Sequence, residues 1–403
     1  MVQRFEFRHM GQILHSPSRP VEGTQLPTAY ELGRALQLDR DHCLLLASLD
    51  EQGGGDKCVG NDAYVFSGME EIVPERAIPL NRPDVAYRRS DGKTAWLAKF
   101  PATGGFIPRG LDIPGSGTGL LVSTCVTFNI DGSSITEESE WCLEFMQVRW
   151  DGSAPSVTRR EYVTELAGMR VRNVPLSQFL IDGDTFLAPL TTPDGEAVFR
   201  FGFCDGEWQC VCHGPALGLA GGWEPSLRKS GGVYWLHTRG RERTCQLYRS
   251  HDGLNYVPSC TYPLLSVPQS LNQHLDGALY LATNPIPTPP AFWLRNPLVT
   301  IPLQDGHYGE QHMIYDEGGI RVDTGDRIPF VDHAVSSNLF LGGRWRHLLF
   351  FRVCDLKERT PYSFQTDLAR LIGKPCSRRA TSGLYCSELS GVPSAEACPW
   401  WLD

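Results

Sequence analysis

Two short segments place ionisable side chains next to apolar strands. Glu224 stands between Trp223 and Pro225, at the start of an apolar stretch. A carboxylate in that setting is costly to bury unless it is paired, and carboxylates in clefts have shifted pKa values that suit acid–base catalysis. Asp332 and His333 start another apolar stretch, and histidine transfers protons readily near neutral pH. Glu224, Asp332 and His333 are therefore the candidate catalytic residues.

Each of these residues also has a structural alternative. Glu224 can be the salt-bridge partner of a neighbouring arginine, and His333 can be a hydrogen-bonded core residue. His237 alternates along its strand with Trp235 and Arg239, so these three side chains are expected on one face. That face is a candidate substrate-binding surface.

The elements that carry these residues are predicted from turn signals. Nine Asp-Gly pairs begin at Asp91, Asp131, Asp151, Asp182, Asp194, Asp205, Asp252, Asp276 and Asp305. Asp-Gly between alternating apolar runs indicates a hairpin, because a type I′ turn needs a positive φ at both central residues. Strands around two of these pairs give a four-stranded meander over 177–212. Further strands are predicted at 225–229, 232–239, 244–250, 255–260, 269–274, 277–283 and 297–303, with two more within 330–354.

A four-stranded unit that recurs about every 40 residues is typical of a β-propeller. We predict one all-β domain over 1–403, six-bladed with seven blades as the alternative, whose first two units are 28–67 and 80–165. A C-terminal strand near 383–389 is expected to join the first blade and close the ring, and 363–371 is the best helix candidate. Two β-sandwich domains are the competing architecture, but no Gly/Ser-rich or charge-rich linker divides the chain.

Three consecutive stretches carry a family resemblance. The first is Gly-Met-Arg-Val-Arg-Asn-Val-Pro-Leu at 168–176, followed by 182–190; the second is Trp-Glu-Pro-Ser-Leu-Arg-Lys at 223–229, followed by 234–239 and 247–256; the third is Pro-Gln-Ser-Leu at 268–271, followed by 276–284 and Arg-Asn-Pro-Leu at 295–298. In order and spacing they resemble the sialidase-like propeller superfamily, with 247–256 similar to a shortened Asp-box of its BNR repeats.

The resemblance implies roles for individual residues. A glutamate of that superfamily pairs with a catalytic tyrosine, and Glu224 matches it. Arg239 and Arg295 match the second and third arginines of a triad that clamps a substrate carboxylate, a task suited to the planar guanidinium fork. In a propeller the inner strand of each blade opens into a central funnel. Further substrate-binding candidates are therefore Asn173, Gln178, Gln269 and His237.

The sequence departs from the superfamily at two points. The tyrosine expected at the opening of the last blade is absent and Asp332 and His333 stand there, and the Phe-Arg-Ile-Pro start of sialidases is missing. An ordinary sialidase is therefore not expected. An arginine that neutralises a uronic acid, with a base that removes its C5 proton, suits β-elimination. If His333 is structural, a carboxylate from the N-terminal blades is the expected partner of Glu224.

These features predict a carbohydrate-active enzyme, a glycoside hydrolase or polysaccharide lyase, that cleaves a glycosidic bond in a glycan containing uronic or sialic acid. The alternatives are a non-catalytic carbohydrate-binding propeller and a lyase or isomerase for a small metabolite. We expect no cofactor, with a structural calcium ion left open. No metal site is expected either, since the nearest cluster, Cys210, Cys212 and His213, lacks zinc spacing. The 13 cysteines are strand thiols or, in a secreted protein, disulfides.

Composition argues against two classes of partner. The formal net charge is -9 and the pI is about 5.7, so a basic nucleic-acid surface is not expected. No apolar run approaches the roughly 18 residues of a membrane span. The N-terminal residues lack the apolar stretch of a signal peptide. That predicts a cytoplasmic protein, or a secreted one if a signal peptide has been removed.

Overall fold

The computed structural model describes residues 7–14, 28–51, 58–129, 139–218, 223–239, 244–263, 267–284, 297–315, 329–355 and 383–389. Within this part, regular structure is β-strand apart from two short 3-10 helices, Met69–Glu71 and Pro74–Arg76. The all-β prediction is therefore confirmed. The helix predicted at 363–371 and the candidate Arg295 lie outside the described residues.

The strands are numbered in chain order. They are β1 (Phe7–Leu14), β2 (Thr28–Gln37), β3 (Cys43–Glu51), β4 (Cys58–Phe66), β5 (Ile78–Asn81), β6 (Asp84–Arg88), β7 (Thr94–Lys99), β8 (Thr103–Ile107), β9 (Thr118–Phe128), β10 (Trp141–Trp150), β11 (Pro155–Val163), β12 (Glu165–Leu166), β13 (Met169–Arg170), β14 (Leu180–Asp182), β15 (Thr185–Thr192), β16 (Gly195–Cys204), β17 (Glu207–His213), β18 (Trp223–Ser230), β19 (Val233–Arg239), β20 (Thr244–Ser250), β21 (Val257–Pro263), β22 (Ser270–Gln273), β23 (Leu279–Thr283), β24 (Leu298–Gln304), β25 (His307–Tyr308), β26 (His312–Tyr315), β27 (Pro329–Leu341), β28 (Arg344–Asp355) and β29 (Gly383–Leu389). Strand β20 coincides with its prediction, and β19 begins one residue later than predicted.

Four sheets are separate antiparallel units. Three have the orders β14-β15-β16-β17, β18-β19-β20-β21 and β22-β23-β24-β25, with β26 also pairing with β24. The fourth has the order β27-β28-β29-β1, so the N-terminal strand forms an edge. The prediction that the C-terminal strand joins the blade of residues 28–67 is wrong. Instead β29 pairs with β28 and β1, because the long hairpin β27–β28 offers a free edge of backbone hydrogen-bonding groups.

The N-terminal part forms one ten-stranded sheet. It consists of two antiparallel groups, β2-β3-β4 with β5, and β8-β9-β10-β11 with β6 and β7. The groups are joined by one parallel pair, Val59 with Lys99. A short two-stranded ladder, β12 with β13, follows them in the chain.

The groups of strands pack around a ring, since alternate residues of each strand point to opposite faces and build apolar clusters with the next group. Residues that share such clusters are Leu46 with Met146, Phe145 with Phe201, Leu187 with Leu227, Leu247 with Leu271, Tyr280 with Phe351, and Phe350 with Tyr30. The strands β2, β8, β14, β18, β22 and β27 each contact the next one, and β27 contacts β2. This closed arrangement of sheets is that of a β-propeller rather than of two sandwiches.

The Asp-Gly turns differ in detail from the prediction. Among the described Asp-Gly pairs, a positive φ at the aspartate occurs only at Asp205 and Asp305, with values of 52° and 50°. At the turn between β14 and β15 the ladder pairs Asp182 with Thr185, so the turn begins at Gly183 and not at the aspartate. Strand register, which is fixed by packing of the apolar faces, thus decides which residues form the turn.

Candidate functional site

The inner strands enclose two cavities. The first, of about 240 Å³, is named the carboxylate cavity after Glu224 and Asp50 in its wall. The second, of about 320 Å³, is named the amide cavity after Gln178, Gln273 and Asn338. Six chain segments contribute to both. To the carboxylate cavity they contribute Arg34, Pro101, Leu176, Glu224, Pro268 and His333. To the amide cavity the same segments contribute, in the same order, Leu36, Gly105, Gln178, Arg228, Gln273 and Ser336.

Glu224 occupies a strained position near the start of β18. Its φ is 53°, in the left-handed region that residues other than glycine rarely adopt. The pairing of β18 with β19 shifts between Trp223 and Ser226, so the strand bulges there. Such a conformation costs about 1–3 kcal/mol and persists only where the surrounding structure fixes it. The Glu224 carboxylate lines the cavity and accepts a 2.8 Å hydrogen bond from Nη1 of Arg239.

His333 repeats this arrangement on β27. Its φ is 52°, and the pairing of β27 with β28 shifts between Asp332 and Val335. The His333 side chain is 12% exposed and lines the carboxylate cavity, with Nε2 3.8 Å from Oδ2 of Asp332. Asp332 is buried, and its two oxygens accept hydrogen bonds of 2.7 and 2.9 Å from Nε and Nη2 of Arg352. Asp332 therefore holds Arg352 in the cavity wall and lies beside the histidine.

Among the described residues, three arginines line the carboxylate cavity: Arg34, Arg239 and Arg352. Arg34 donates from Nε to the carbonyl of Leu176 at 2.5 Å and from Nη1 to the carbonyl of Ala102 at 3.1 Å. Burial lowers the pKa of Arg34 to about 10, and the nearby Glu224 carboxylate opposes that shift. The guanidinium of Arg34 is thus charged at neutral pH.

Sequence reasoning finds Arg239 but misses Arg34, Arg352 and Asp50, all of which line this cavity. Arg34 and Arg352 each interrupt an apolar strand. A cation inside such a strand is the signal that identifies them, because burying it needs partners. Asp50 is 5% exposed and comes from the N-terminal sheet, where the sequence analysis looks for a second carboxylate.

The other four predicted binding residues, Asn173, Gln178, Gln269 and His237, do not lie in one place. Asn173 lines the carboxylate cavity, and its Oδ1 accepts a 2.6 Å hydrogen bond from Thr124. Gln178 lines the amide cavity. Gln269 and His237 are fully buried, and the His237 ring lies edge-on to Tyr308. Burial lowers the pKa of His237 to about 3, so the ring is neutral.

Other chemistry has little support in the described residues. No group of three His, Cys, Asp or Glu side chains there is arranged to hold a metal ion. In the cluster of Cys210, Cys212 and His213, Nδ1 of His213 lies 2.7 Å from the carbonyl of Gly214. Burial raises the pKa of Cys210 to about 11. A helix long and apolar enough to span a membrane is also absent from this part of the chain.

No protein-family model and no curated protein matches the sequence. Solved structures do match it in fold. Trypanosoma rangeli sialidase in complex with sialic acid gives a TM-score of 0.55 at 11% identity, over 97% of this chain and 60% of that chain. The NanB sialidase of Streptococcus pneumoniae gives 0.52 at 9% identity, over 92% and 69%. The chain has a sialidase-like β-propeller fold.

A third structure of this fold, a Trypanosoma rangeli sialidase mutant that displays trans-sialidase activity, gives a TM-score of 0.53 at 11% identity over 96% of the chain. The chain spans only 58% and 60% of the length of the two trypanosomal proteins. The sialidase-like fold predicted from the three sequence stretches is confirmed. At this level of identity the likeness concerns the fold alone.

Proposed function

We propose that this sialidase-like propeller is an enzyme that cleaves a glycosidic bond in a glycan bearing a carboxylate, such as a uronic or sialic acid. The observation that carries the proposal is one cavity lined by three arginines, Glu224 and His333, the last two on strained backbone. Strained residues held by their surroundings cluster at active sites. The guanidinium fork also matches a carboxylate better than any other side chain.

Arg34 is the best candidate for the substrate carboxylate. Arg239 and Arg352 form ion pairs with Glu224 and Asp332, whereas the hydrogen bonds of Arg34 within the described part go to backbone carbonyls. Its charge therefore has the least direct compensation in the cavity. Beside these groups, Trp141 lines the same wall and offers an apolar face to a sugar ring.

The proposed chemistry divides between Glu224 and His333. Hydrolysis requires a proton for the leaving oxygen and a base for the attacking water. β-Elimination requires a base that removes the proton next to the sugar carboxylate. His333 can transfer the proton in either reaction. Glu224 supplies a negative charge in the same cavity. Asp50 is a further carboxylate in the same wall.

We also infer six blades in a single domain. The support is the closed series of six contacting inner strands and the six segments that contribute to both cavities. In this count the ten-stranded sheet contributes two blades, since one parallel pair joins its two groups.

The test is a panel of oligosaccharides with a terminal uronic acid, a terminal sialic acid or a neutral sugar. Release of reducing ends measures hydrolysis, and absorbance of an unsaturated uronate measures elimination. We expect turnover of a carboxylate-bearing substrate. Binding without turnover across the panel would support the non-catalytic alternative, and equal turnover of neutral sugars would contradict the carboxylate requirement.

A further inference from the structure

The amide cavity contains a buried arginine with no counter-charge among the described residues. Arg228 on β18 is 8% exposed and lines this cavity. Its Nη1 donates to its own neighbour's carbonyl, that of Leu227, at 2.7 Å, and its Nη2 lies 3.4 Å from Oε1 of Gln178. A guanidinium has five N–H donors, so most of them have no acceptor there. A buried charge without a partner is strongly unfavourable.

The carboxylates nearby are committed elsewhere. Asp182 forms ion pairs with Arg200 at 3.0 Å and Lys229 at 2.7 Å. Asp276 lies 2.8 Å from His274. Burial lowers the pKa of Arg228 to about 10, which leaves it charged at neutral pH. The positive charge therefore persists in the cavity, and no anion among the described residues balances it.

Neutral donors line the same cavity. Ser337 accepts hydrogen bonds from the backbone of Ala35 and from Gln178, and within the described part its own hydroxyl proton has no acceptor. The side-chain amide of Asn338 donates one hydrogen bond, to the carbonyl of Gln273 at 3.1 Å. Its second N–H hydrogen can donate to a ligand. A guanidinium fork with a hydroxyl and an amide hydrogen is a donor set that suits an oxyanion.

We propose that the amide cavity binds a small oxyanion, such as phosphate, sulfate or a small carboxylate, which balances the charge of Arg228. The cavity volume of about 320 Å³ accommodates such an ion with its waters. The ion would bridge β18, β27 and the segment of Gln178, so it would stabilise the closed ring. This site is separate from the carboxylate cavity and does not depend on the proposed function.

The first experiment titrates inorganic phosphate into the full chain at constant ionic strength in potassium chloride, with Tm and calorimetric affinity as readouts. Phosphate that binds only the native state raises Tm by mass action. We expect a rise of several degrees for the wild type and at least a tenfold loss of affinity for Arg228→Gln. Arg239→Gln should keep the response, because Arg239 lines the carboxylate cavity and not the amide cavity.

Two outcomes would overturn the proposal: an unchanged phosphate response in Arg228→Gln, or its loss in Arg239→Gln alone. No response above the chloride background would overturn the oxyanion assignment. If Arg228→Gln does not fold, Gln178→Glu puts a carboxylate 3.4 Å from Nη2 of Arg228 and should abolish the phosphate response. Gln209→Glu, on the exposed face of β17, is its matched control and should respond like the wild type. A full response in Gln178→Glu would contradict the site.

Discussion

The two cavities are built from the same inner segments, yet they treat buried charge differently. In the carboxylate cavity Arg239 pairs with Glu224 and Arg352 with Asp332, Arg34 is electrostatically coupled to Glu224, and Glu224 and His333 have a left-handed backbone. In the amide cavity Arg228 has no described counter-charge, and none of the described lining residues has a positive φ. Paired charge on strained backbone suits catalysis, because the surroundings hold it in one geometry. A single uncompensated charge suits the capture of an ion.

The largest expected effect is at Glu224. Glu224→Gln is nearly isosteric and removes the charge that faces Arg239. Turnover should fall by about 10²–10⁴-fold, the usual contribution of acid–base catalysis, while the far-UV spectrum is unchanged. Glu75→Gln, on an exposed 3-10 helix, is the control and should retain full turnover. Unchanged turnover in Glu224→Gln would remove Glu224 from the mechanism.

Glu196 has the opposite charge to Arg228 and, like it, is buried without a counter-charge among the described residues. Glu196 is fully buried and neither oxygen has a hydrogen-bond partner in the described part. Burial raises its pKa from 4.5 to about 7, so between these values the folded state holds a proton that the unfolded chain has released. Stability must therefore fall as pH rises through this window.

Glu196→Gln should abolish the loss of stability that accompanies the rise in pH. The free energy of unfolding of the variant, relative to wild type, should increase by roughly 3 kcal/mol between pH 4 and pH 8. Urea unfolding at several pH values measures it. The difference between variants is the quantity to compare, because His237 also makes stability depend on pH here: it is neutral in the fold, while its pKa in the unfolded chain is about 6.5. A difference that does not change with pH would mean that Glu196 is solvated or paired.

The carboxylate preference can be tested at Arg34 and Arg239. Arg→Lys at either position replaces a two-point contact with a point charge, so KM for a carboxylate-bearing substrate should rise by about tenfold, or about 1.4 kcal/mol. The same prediction applies to Arg295. A carboxylate-reduced substrate should be indifferent to each change. Arg149→Lys on the exposed face of β10 is the control, and equal sensitivity of both substrates would reject the clamp.

The smallest effect concerns backbone strain, which distinguishes the two cavities along one strand. At His333, with φ 52°, glycine should give a protein about 1 kcal/mol more stable than alanine does, because alanine pays for the left-handed conformation. At Ser337, on the regular part of β27, glycine should be less stable than alanine by a similar amount. Thermal unfolding of the four variants measures both differences. The same sign at both positions would contradict the assignment of strain to the carboxylate cavity.

The local sequence pattern was sufficient to predict the strands and one contact within the candidate site. Asp-Gly turns with alternating apolar residues locate most of β14 to β21 to within a few residues. Glu224 and Arg239 meet because they belong to one hairpin, in which Trp223 pairs with Arg239. Contacts within a hairpin depend on short-range register, which the sequence displays directly.

The remaining features depended on ring closure. Arg34 and Arg352 come from strands at opposite ends of the chain, so only the packing of the last sheet on the first brings them into one cavity. Alternation groups His237 with Arg239 on one face, but that face packs against a neighbouring sheet at His237 and lines the carboxylate cavity only at Arg239. Gln178 lines the amide cavity and not the carboxylate cavity.

The amino-acid sequence alone therefore determined the all-β class, the sialidase-like propeller and the pairing of neighbouring strands, because these follow from periodicity and turn chemistry. Tertiary structure decided which end of the ring each polar residue faces, and which buried charges find partners. Both depend on the bulges at Glu224 and His333, and on contacts between residues far apart in the chain. Neither is encoded in any short stretch of residues.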